Sequence, residues 1–207
     1  MWYSFVIAAL TAYLLGNLNG SVCISLMFAK EDVRTRGSGN AGMTNFFRSY
    51  GSWNTLLVFA VDAIKTVLAC LLGGLLLKPF DYSAEGAMLA AVAVSLGHDF
   101  PALLGFKGGK GIVCGLSVAA VLDWRIAVII FSVFVITFAI TRYVSLGSIL
   151  GSIMFAVGFG VLHYSEPWVM AGGIFIGAFA VFMHRSNIIR LLKGTEKKVH
   201  LIRKHLN

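Results

Sequence analysis

Apolar residues run along this chain in long blocks separated by short polar stretches, at about 3–27, 52–77, 84–97, 111–122, 125–141, 144–163 and 168–183. A helix that crosses a hydrocarbon core takes about 20 mostly apolar residues. The pattern therefore predicts an all-α integral membrane protein built as a seven-transmembrane-helix bundle. The third and fourth blocks are short by that rule. They extend into the flanking polar motifs, tilt in a thin bilayer, or form half-helices around a re-entrant loop, which is tolerated only where the backbone is buried in protein or lines a cavity. Five spans plus re-entrant half-helices is the alternative architecture.

Composition supports the membrane assignment. The chain has 207 residues, 58% hydrophobic and 13% charged, more apolar surface than one soluble core of this size could hide. Residues 1–207 read as a single membrane-embedded domain ending in a basic tail at 193–207. The first block carries no small-residue cleavage site and reads as a retained helix. Cys23, Cys70 and Cys114 lie in apolar segments without metal spacing, so they read as buried small hydrophobes.

Basic residues orient the bundle. With the N-terminus outside, Lys30, Arg34, Arg36, Arg48, Lys107, Lys110, Arg142, Arg185, Arg190, Lys193, Lys197, Lys198, Arg203 and Lys204 are inside, and only Lys78 and Arg125 outside. That gives a periplasmic N-terminus and a cytoplasmic C-terminus. The net charge of +8 is explained by orientation and anionic lipid headgroups. No nucleic-acid module is present in the sequence.

Three polar stretches fall on the inside face. The first, Gly37-Ser38-Gly39-Asn40-Ala41-Gly42-Met43-Thr44-Asn45 with Arg48 one turn on, offers hydroxyls, amides and guanidinium groups. A helix cap explains Thr44 or Asn45 alone, whereas arginine–phosphate hydrogen bonds account for the crowd. The second runs from Gly97-His98-Asp99-Phe100-Pro101 to Lys107-Gly108-Gly109-Lys110-Gly111. Two lysines bracketing glycines suit a phosphate-binding nest, although a plain basic loop would read similarly. It is not the nucleotide-triphosphate loop, which needs Gly at Leu104 and Ser or Thr at Gly111. The third places His184, Asn187 and Arg190 three apart on one helical face, with Arg185 beside them. Taken alone it reads rather as a membrane-interface anchor followed by a basic amphipathic tail. Asp62 and Lys65, three apart inside a span, read as an internal ion pair.

Together these segments resemble the bacterial acyl-phosphate:glycerol-3-phosphate acyltransferase family, whose pattern is roughly GSGN-x-GATN, then GH-x-FP with FKGGKG, then HR-x-NI-x-R and a nearby Thr-Glu, here Thr195-Glu196. The likeness extends to Asp62-x-x-Lys65 and Tyr143-Val144-Ser145-Leu146. It implies transfer of an acyl group from acyl phosphate to the sn-1 hydroxyl of glycerol 3-phosphate, giving lysophosphatidate and phosphate at the bacterial inner membrane, with the active site on its cytoplasmic face. It implies that Ser38 and Arg48 are essential, that the middle motif holds glycerol 3-phosphate, that His184 and Asn187 belong to the active site, and that Glu196 is structural. No cofactor is implied. The partners are the two phosphorylated substrates and membrane lipid, and the chain is expected to be monomeric. Ala41, Met43, Ser186 and the stretch Gly16 to Ser21 depart from the family pattern, and Met43 leaves acyl-chain preference open.

The residue chemistry agrees. Acyl phosphate carries a good leaving group, so a site need only position two anions, stabilise an oxyanion and neutralise departing phosphate. The expected catalytic set is Ser38, Arg48, His98, Lys110, His184 and Asn187. The expected substrate contacts are Gly37, Gly39, Asn40, Thr44, Asn45, Lys107, Gly108, Gly109, Gly111, Arg185 and Arg190. Asp62, Lys65 and Glu196 are structural. An activated serine needs an adjacent base and orienting acid, and neither is evident, so direct transfer without an acyl-enzyme is expected. His98 is the first candidate base, although a hydrogen-bonded structural residue stabilising the turn before Pro101 is an equal reading of it; His184 is the second candidate, and a substrate phosphate oxygen the third. A small organic-anion or phosphate transporter would share the glycines and cations, but would place charge near mid-membrane with access from both sides.

Overall fold

The computed structural model describes residues 1–51 and 53–199. Ten α-helices are defined among them: α1 Trp2–Gly16, α2 Gly20–Ala29, α3 Met43–Tyr50, α4 Trp53–Leu77, α5 Ser83–Asp99, α6 Ile112–Leu122, α7 Trp124–Thr141, α8 Val144–Leu162, α9 Pro167–Met183 and α10 Arg185–Leu192. Of the tail expected at 193–207, residues 200–207, with Arg203 and Lys204, lie outside the described residues.

The apolar blocks are helices because lipid offers no partner to backbone N–H and C=O groups, which a helix satisfies within itself. Five helices have the length and composition of membrane spans: Trp2–Ala29, Trp53–Phe80, Ser83–Leu104, Trp124–Thr141 and Val144–Leu162. A sixth arises if α9 and α10, bent by 53° at His184, count as one. The third block resolves by extension into its motif through a 3₁₀ turn at Ala102–Leu104. The expected seven full spans are not all met, since α6 has only 11 residues, about 16 Å of helix against roughly 30 Å of hydrocarbon. Its start is set by Gly111, a left-handed residue at φ +65°. Its end is set by Asp123, which caps α7 through the Arg125 amide.

The helices pack into one bundle, with α5 against α1, α4 and α9, and α8 between α7 and α9. Cys70, Met88, Val118, Ile126, Phe155, Phe159 and Val169 form its main core. Leu10, Leu14, Leu68, Ile136 and Val161 face outward, as a lipid-exposed rim requires. Gly16 allows close helix contact within the chain: a Cβ there would strike the Gly97 backbone of α5.

The first span is broken at Asn17–Asn19, and buried charge heals the break. Lys65 Nζ donates to the carbonyls of Leu18 at 2.5 Å and Gly16 at 3.3 Å, capping the end of α1. Asp62 Oδ1 accepts the Gly20 amide at 3.1 Å at the start of α2. The two side chains pair at 2.8 Å. Each charge thus meets both its counterion and an orphan helix end, the second of which the sequence did not suggest.

Asp123 lies 3.3 Å from His163 at the turn between α8 and α9, so α6 and α8 finish at the same end of the bundle. Because α8 has 19 residues, about 28 Å, α6 opens well below the other end of α8. Lys110 and Gly111 therefore sit recessed within the bundle.

Candidate functional site

A 300 Å³ cavity lies at the end of the bundle where all three motifs converge. Its wall comes from the α2–α4 connection (Ser38, Gly39, Asn40, Thr44, Asn45, Arg48), the start of α6 (Lys110, Gly111), the start of α8 (Ser145, Ser148) and the α9–α10 bend (His184, Ser186, Asn187, Arg190), with Glu196, Asp62 and His98. A second, apolar groove of 170 Å³ adjoins it, sharing Met43, Gly111, Ile112, Val113, Phe134 and Ser148. The groove continues between Leu116 of α6, Phe131 of α7, Phe155 of α8 and Ile176 of α9.

The first motif is a loop folded around one side chain. Asn45 Nδ2 lies 3.0 to 3.1 Å from the carbonyls of Val33, Arg36 and Asn40, and its Oδ1 accepts the Ser38 amide at 2.9 Å. Gly37, at φ +59°, passes so close that a Cβ would overlap Asn45 Oδ1. Asn45, expected as a substrate contact, is thus occupied in shaping the loop. Ser38 and Thr44 face the cavity without a side-chain hydrogen bond among the described residues, and Arg48 donates to the Lys197 carbonyl at 3.1 Å.

The middle motif divides. The Gly108 amide donates to Asp99 O and the Gly109 amide to His98 O, both at 3.1 Å. These amides are engaged inside the protein instead of forming the open nest the sequence suggested. The glycines serve close packing: a Cβ on Gly108 would overlap the His98 carbonyl, and one on Gly109 the His98 ring. Lys107 and both glycines lie outside the cavity wall, whereas Lys110 and Gly111 form part of it. Lys110 Nζ donates to Asn187 Oδ1. Burial, reinforced by Arg190, lowers the Lys110 ammonium from its usual range to about 8.

The third motif delivers its helical face as expected. Asn187 Nδ2 donates to Glu196 Oε1 at 2.9 Å, and Arg190 Nε to Glu196 Oε2 at 2.6 Å. Burial pushes the Glu196 carboxyl upward, but hydrogen bonds from Arg190 and Asn187 outweigh it and hold the group below its ordinary value. Arg185 departs from expectation, since its guanidinium stacks 4.6 Å over the Phe182 ring and donates to Phe182 O, away from the cavity. The two histidines differ. His184 Nδ1 faces the Ala180 carbonyl at 2.8 Å; an acceptor there places the proton on Nδ1 and leaves Nε2 a bare lone pair. His98 Nδ1 meets Lys65 Nζ at 2.9 Å instead.

Other contributors come from outside the expected site set, although Arg34 was legible as a cation flanking the first motif. Arg34, held by Asp32 at 2.7 Å, donates to the carbonyls of Leu104 at 2.7 Å and Lys107 at 3.1 Å, tying the first motif to the second. Ser145 and Ser148 line the cavity from α8. Hydroxyls near the start of an apolar span, within a segment sharing the family wording, were the available signal. Of the tail, residues 193–199 turn back onto the bundle: the Val199 amide donates to Arg142 O at 3.0 Å, Lys198 lies 5.3 Å over the Tyr143 ring, and Glu196 bonds both Arg190 and Asn187.

Comparison with known proteins follows the same lines. A family model described as glycerol-3-phosphate acyltransferase matches residues 6–194. The chain belongs to this family. It is 38% identical over 194 residues to a glycerol-3-phosphate acyltransferase of Thermoanaerobacter pseudethanolicus, covering 94% of this chain and 95% of the relative. A relative from Clostridioides difficile is 38% identical over 199 residues, with 95% and 96% covered. The fold is similar to crystal structures described as PlsY (YgiH), an integral membrane glycerol 3-phosphate acyltransferase. The glycerol 3-phosphate form matches with TM-score 0.83 at 35% identity, covering 95% of this chain and 96% of that one. The lysophosphatidic acid form matches with TM-score 0.81 at 34% identity, with the same coverage. This glycerol-3-phosphate acyltransferase is thus an all-helical, multi-pass integral membrane protein.

Proposed function

We propose that this glycerol-3-phosphate acyltransferase takes its acyl group from an acyl phosphate and passes it directly to the sn-1 hydroxyl, with the reaction at the cytoplasmic face of a bacterial inner membrane. The observation that carries the reading is the junction of the polar cavity with the apolar groove. An acyl phosphate needs both environments in contact, with its phosphate among cations and its chain among apolar side chains. Arg48, Lys110 and Arg190 supply the cations; Phe131, Phe134, Phe155 and Ile176 supply the apolar walls.

In the proposed step the hydroxyl oxygen of glycerol 3-phosphate attacks the carbonyl carbon, the bond from carbonyl carbon to bridging oxygen breaks, and phosphate leaves with that oxygen. Lys110 and Asn187 stabilise the oxyanion, and Arg48 and Arg190 neutralise the phosphates. His184 Nε2 supports a role as acceptor of the hydroxyl proton, because its other nitrogen is held by the Ala180 carbonyl. Ser38 has no neighbouring base bonded to its hydroxyl among the described residues, which favours direct transfer over an acyl-serine.

The proposed orientation has the N-terminus periplasmic and the C-terminus cytoplasmic, since among the described lysines and arginines only Lys78 and Arg125 sit at the end away from the cavity. Purified protein supplied with glycerol 3-phosphate and either palmitoyl phosphate or palmitoyl-CoA tests the donor: product is expected from the phosphate alone. Recovery of radiolabelled acyl groups on Ser38 after quenching would refute direct transfer.

A further inference from the structure

His98 lines the cavity and by sequence is a candidate base, yet its ring is held at Nδ1 and closely covered at Nε2 by Gly109. On one side Lys65 Nζ stands 2.9 Å from Nδ1. An ammonium can only donate, so Nδ1 accepts and the imidazole carries its proton on Nε2. Asp62 lies 2.8 Å from the same ammonium and 3.5 Å from Nδ1. Asp62, Lys65 and His98 are 2%, 3% and 4% exposed, so the arrangement is locked in the seam of α1, α4 and α5. On the other side the ring ends against Gly109, where a Cβ would overlap Nε2. The His98 carbonyl holds the Gly109 amide at 3.1 Å. A base needs a bare nitrogen within reach of the hydroxyl proton; here one nitrogen accepts from lysine and the other bears hydrogen.

We propose that His98 is a positioning residue: its ring, fixed by Lys65 and Asp62, is the surface on which the Gly108–Gly109 turn folds, and it thereby sets where Lys110 stands in the cavity. This rests on the acyl-transfer reading, in which Lys110 meets the reacting groups. The buried ion pair that heals the broken first span thus also fixes, through one ring, the height of the cation in the site. Lys110 is next in sequence to Gly109, so a shift of the turn moves its backbone directly. Misplacement by about 1 Å is enough to cost on the order of 100-fold in rate.

The test is a double-mutant cycle on detergent-purified full chain, assayed with palmitoyl phosphate and glycerol 3-phosphate. Turnover by the unaltered protein establishes the acyl-transfer reading first, and its absence overturns that reading separately. Gly109→Ala is expected to lower kcat by roughly 10-fold or more, because the added methyl meets the ring and moves Lys110. In the His98→Ala background the same change is expected to have about a third of that effect or less, since the obstruction is gone. His98→Asn keeps an acceptor for Lys65 but loses the ring face; its kcat is expected to fall while the acid limb of the kcat–pH profile stays in place, because the residue that takes the proton is untouched. Independent effects of the two alanine changes, or loss of that acid limb in folded His98→Asn, would overturn the proposal. Nitrogen-15 magnetic resonance of unaltered protein, labelled in histidine and lysine, removes dependence on variant folding. The ring coupled to Lys65 Nζ should show an unprotonated Nδ1 and a protonated Nε2, and the reverse tautomer would overturn the assignment.

Discussion

Two buried polar clusters in this molecule use the same residue types to different ends. In the seam of α1, α4 and α5, Lys65 meets Asp62, His98 and two helix-end carbonyls. At the cavity, Lys110 meets the Asn187 amide oxygen, with Arg190 repelling it and Glu196 turned towards Arg190. The first lysine has its partners; the second has an amide and an open cavity. A lysine saturated with acceptors holds structure, whereas one left with donor capacity beside an electropositive cavity is poised for an anion that arrives from outside. The sequence already separated the two by context, since Lys65 has an acid three residues before it inside a span and Lys110 ends a glycine stretch; it did not show which acceptors each lysine meets.

Removing each charge is the sharpest way to break this comparison. Lys110→Ala is expected to lower kcat by roughly 10²–10³-fold, the scale for loss of an oxyanion donor, with the melting temperature nearly unchanged; steady-state kinetics and thermal unfolding read both. Lys65→Met should do the opposite. It strands Asp62 and is expected to destabilise by about 3–5 kcal/mol, while the folded fraction loses less kcat than Lys110→Ala does, since Lys65 reaches the site only through the His98 ring. If the two variants behave alike, the distinction fails.

Glu196→Gln sharpens the cavity side. Loss of hydrogen bonds to a charged partner is worth about 1.5–3 kcal/mol, so kcat/KM is expected to fall by roughly 10 to 100-fold. The Glu196 carboxyl is held below its ordinary 4.5. Its contribution to stability is therefore fully present above that value and is lost as pH falls through the folded value. The variant should flatten that acid limb in a melting series.

Lys110 gives a smaller, pH-dependent effect. With its ammonium lowered to about 8, kcat/KM for glycerol 3-phosphate is expected to bend downward as pH rises through that value. In Lys110→Arg the bend should move to higher pH. Between about 8 and 10.5 the unfolded lysine holds a proton the buried one has released, so stability rises slightly with pH across that window. The smallest effect is expected at Arg36, whose ion pair with Glu31 is solvent-exposed. Arg36→Gln should leave both melting temperature and kcat unchanged, because screening and side-chain entropy cancel most of such a pair.

Much of the fold was legible in sequence. The second block at 52–77 appears as α4 Trp53–Leu77, and the block at 144–163 as α8 Val144–Leu162, because lipid forces apolar runs into self-satisfied helices. The block at 111–122 gave the right helix but not a full span, since hydropathy does not report how deep the preceding loop descends. The site was legible as a set of segments and less so residue by residue. Asn45, Gly108, Gly109 and Arg185 were expected at substrate; they are held instead by Val33 and Arg36 carbonyls, by His98 and Asp99 carbonyls, and by Phe182. Glycine looks the same in sequence whether it bares an amide to phosphate or makes room for a ring.

The pattern of the chain by itself determined that this is a helical membrane protein of the glycerol-3-phosphate acyltransferase family. Block length, motif wording and the distribution of cations are local properties, and local properties suffice where the solvent is lipid. Only the tertiary structure decided which polar groups are satisfied within the protein and which remain open to substrate. That allocation depends on neighbours far apart in the chain, as between Lys65 and the Leu18 carbonyl 47 residues away, or Lys110 and Asn187 separated by 77. A hydrogen bond formed inside the fold withdraws a group from chemistry, and no spacing rule along the sequence records that it has formed.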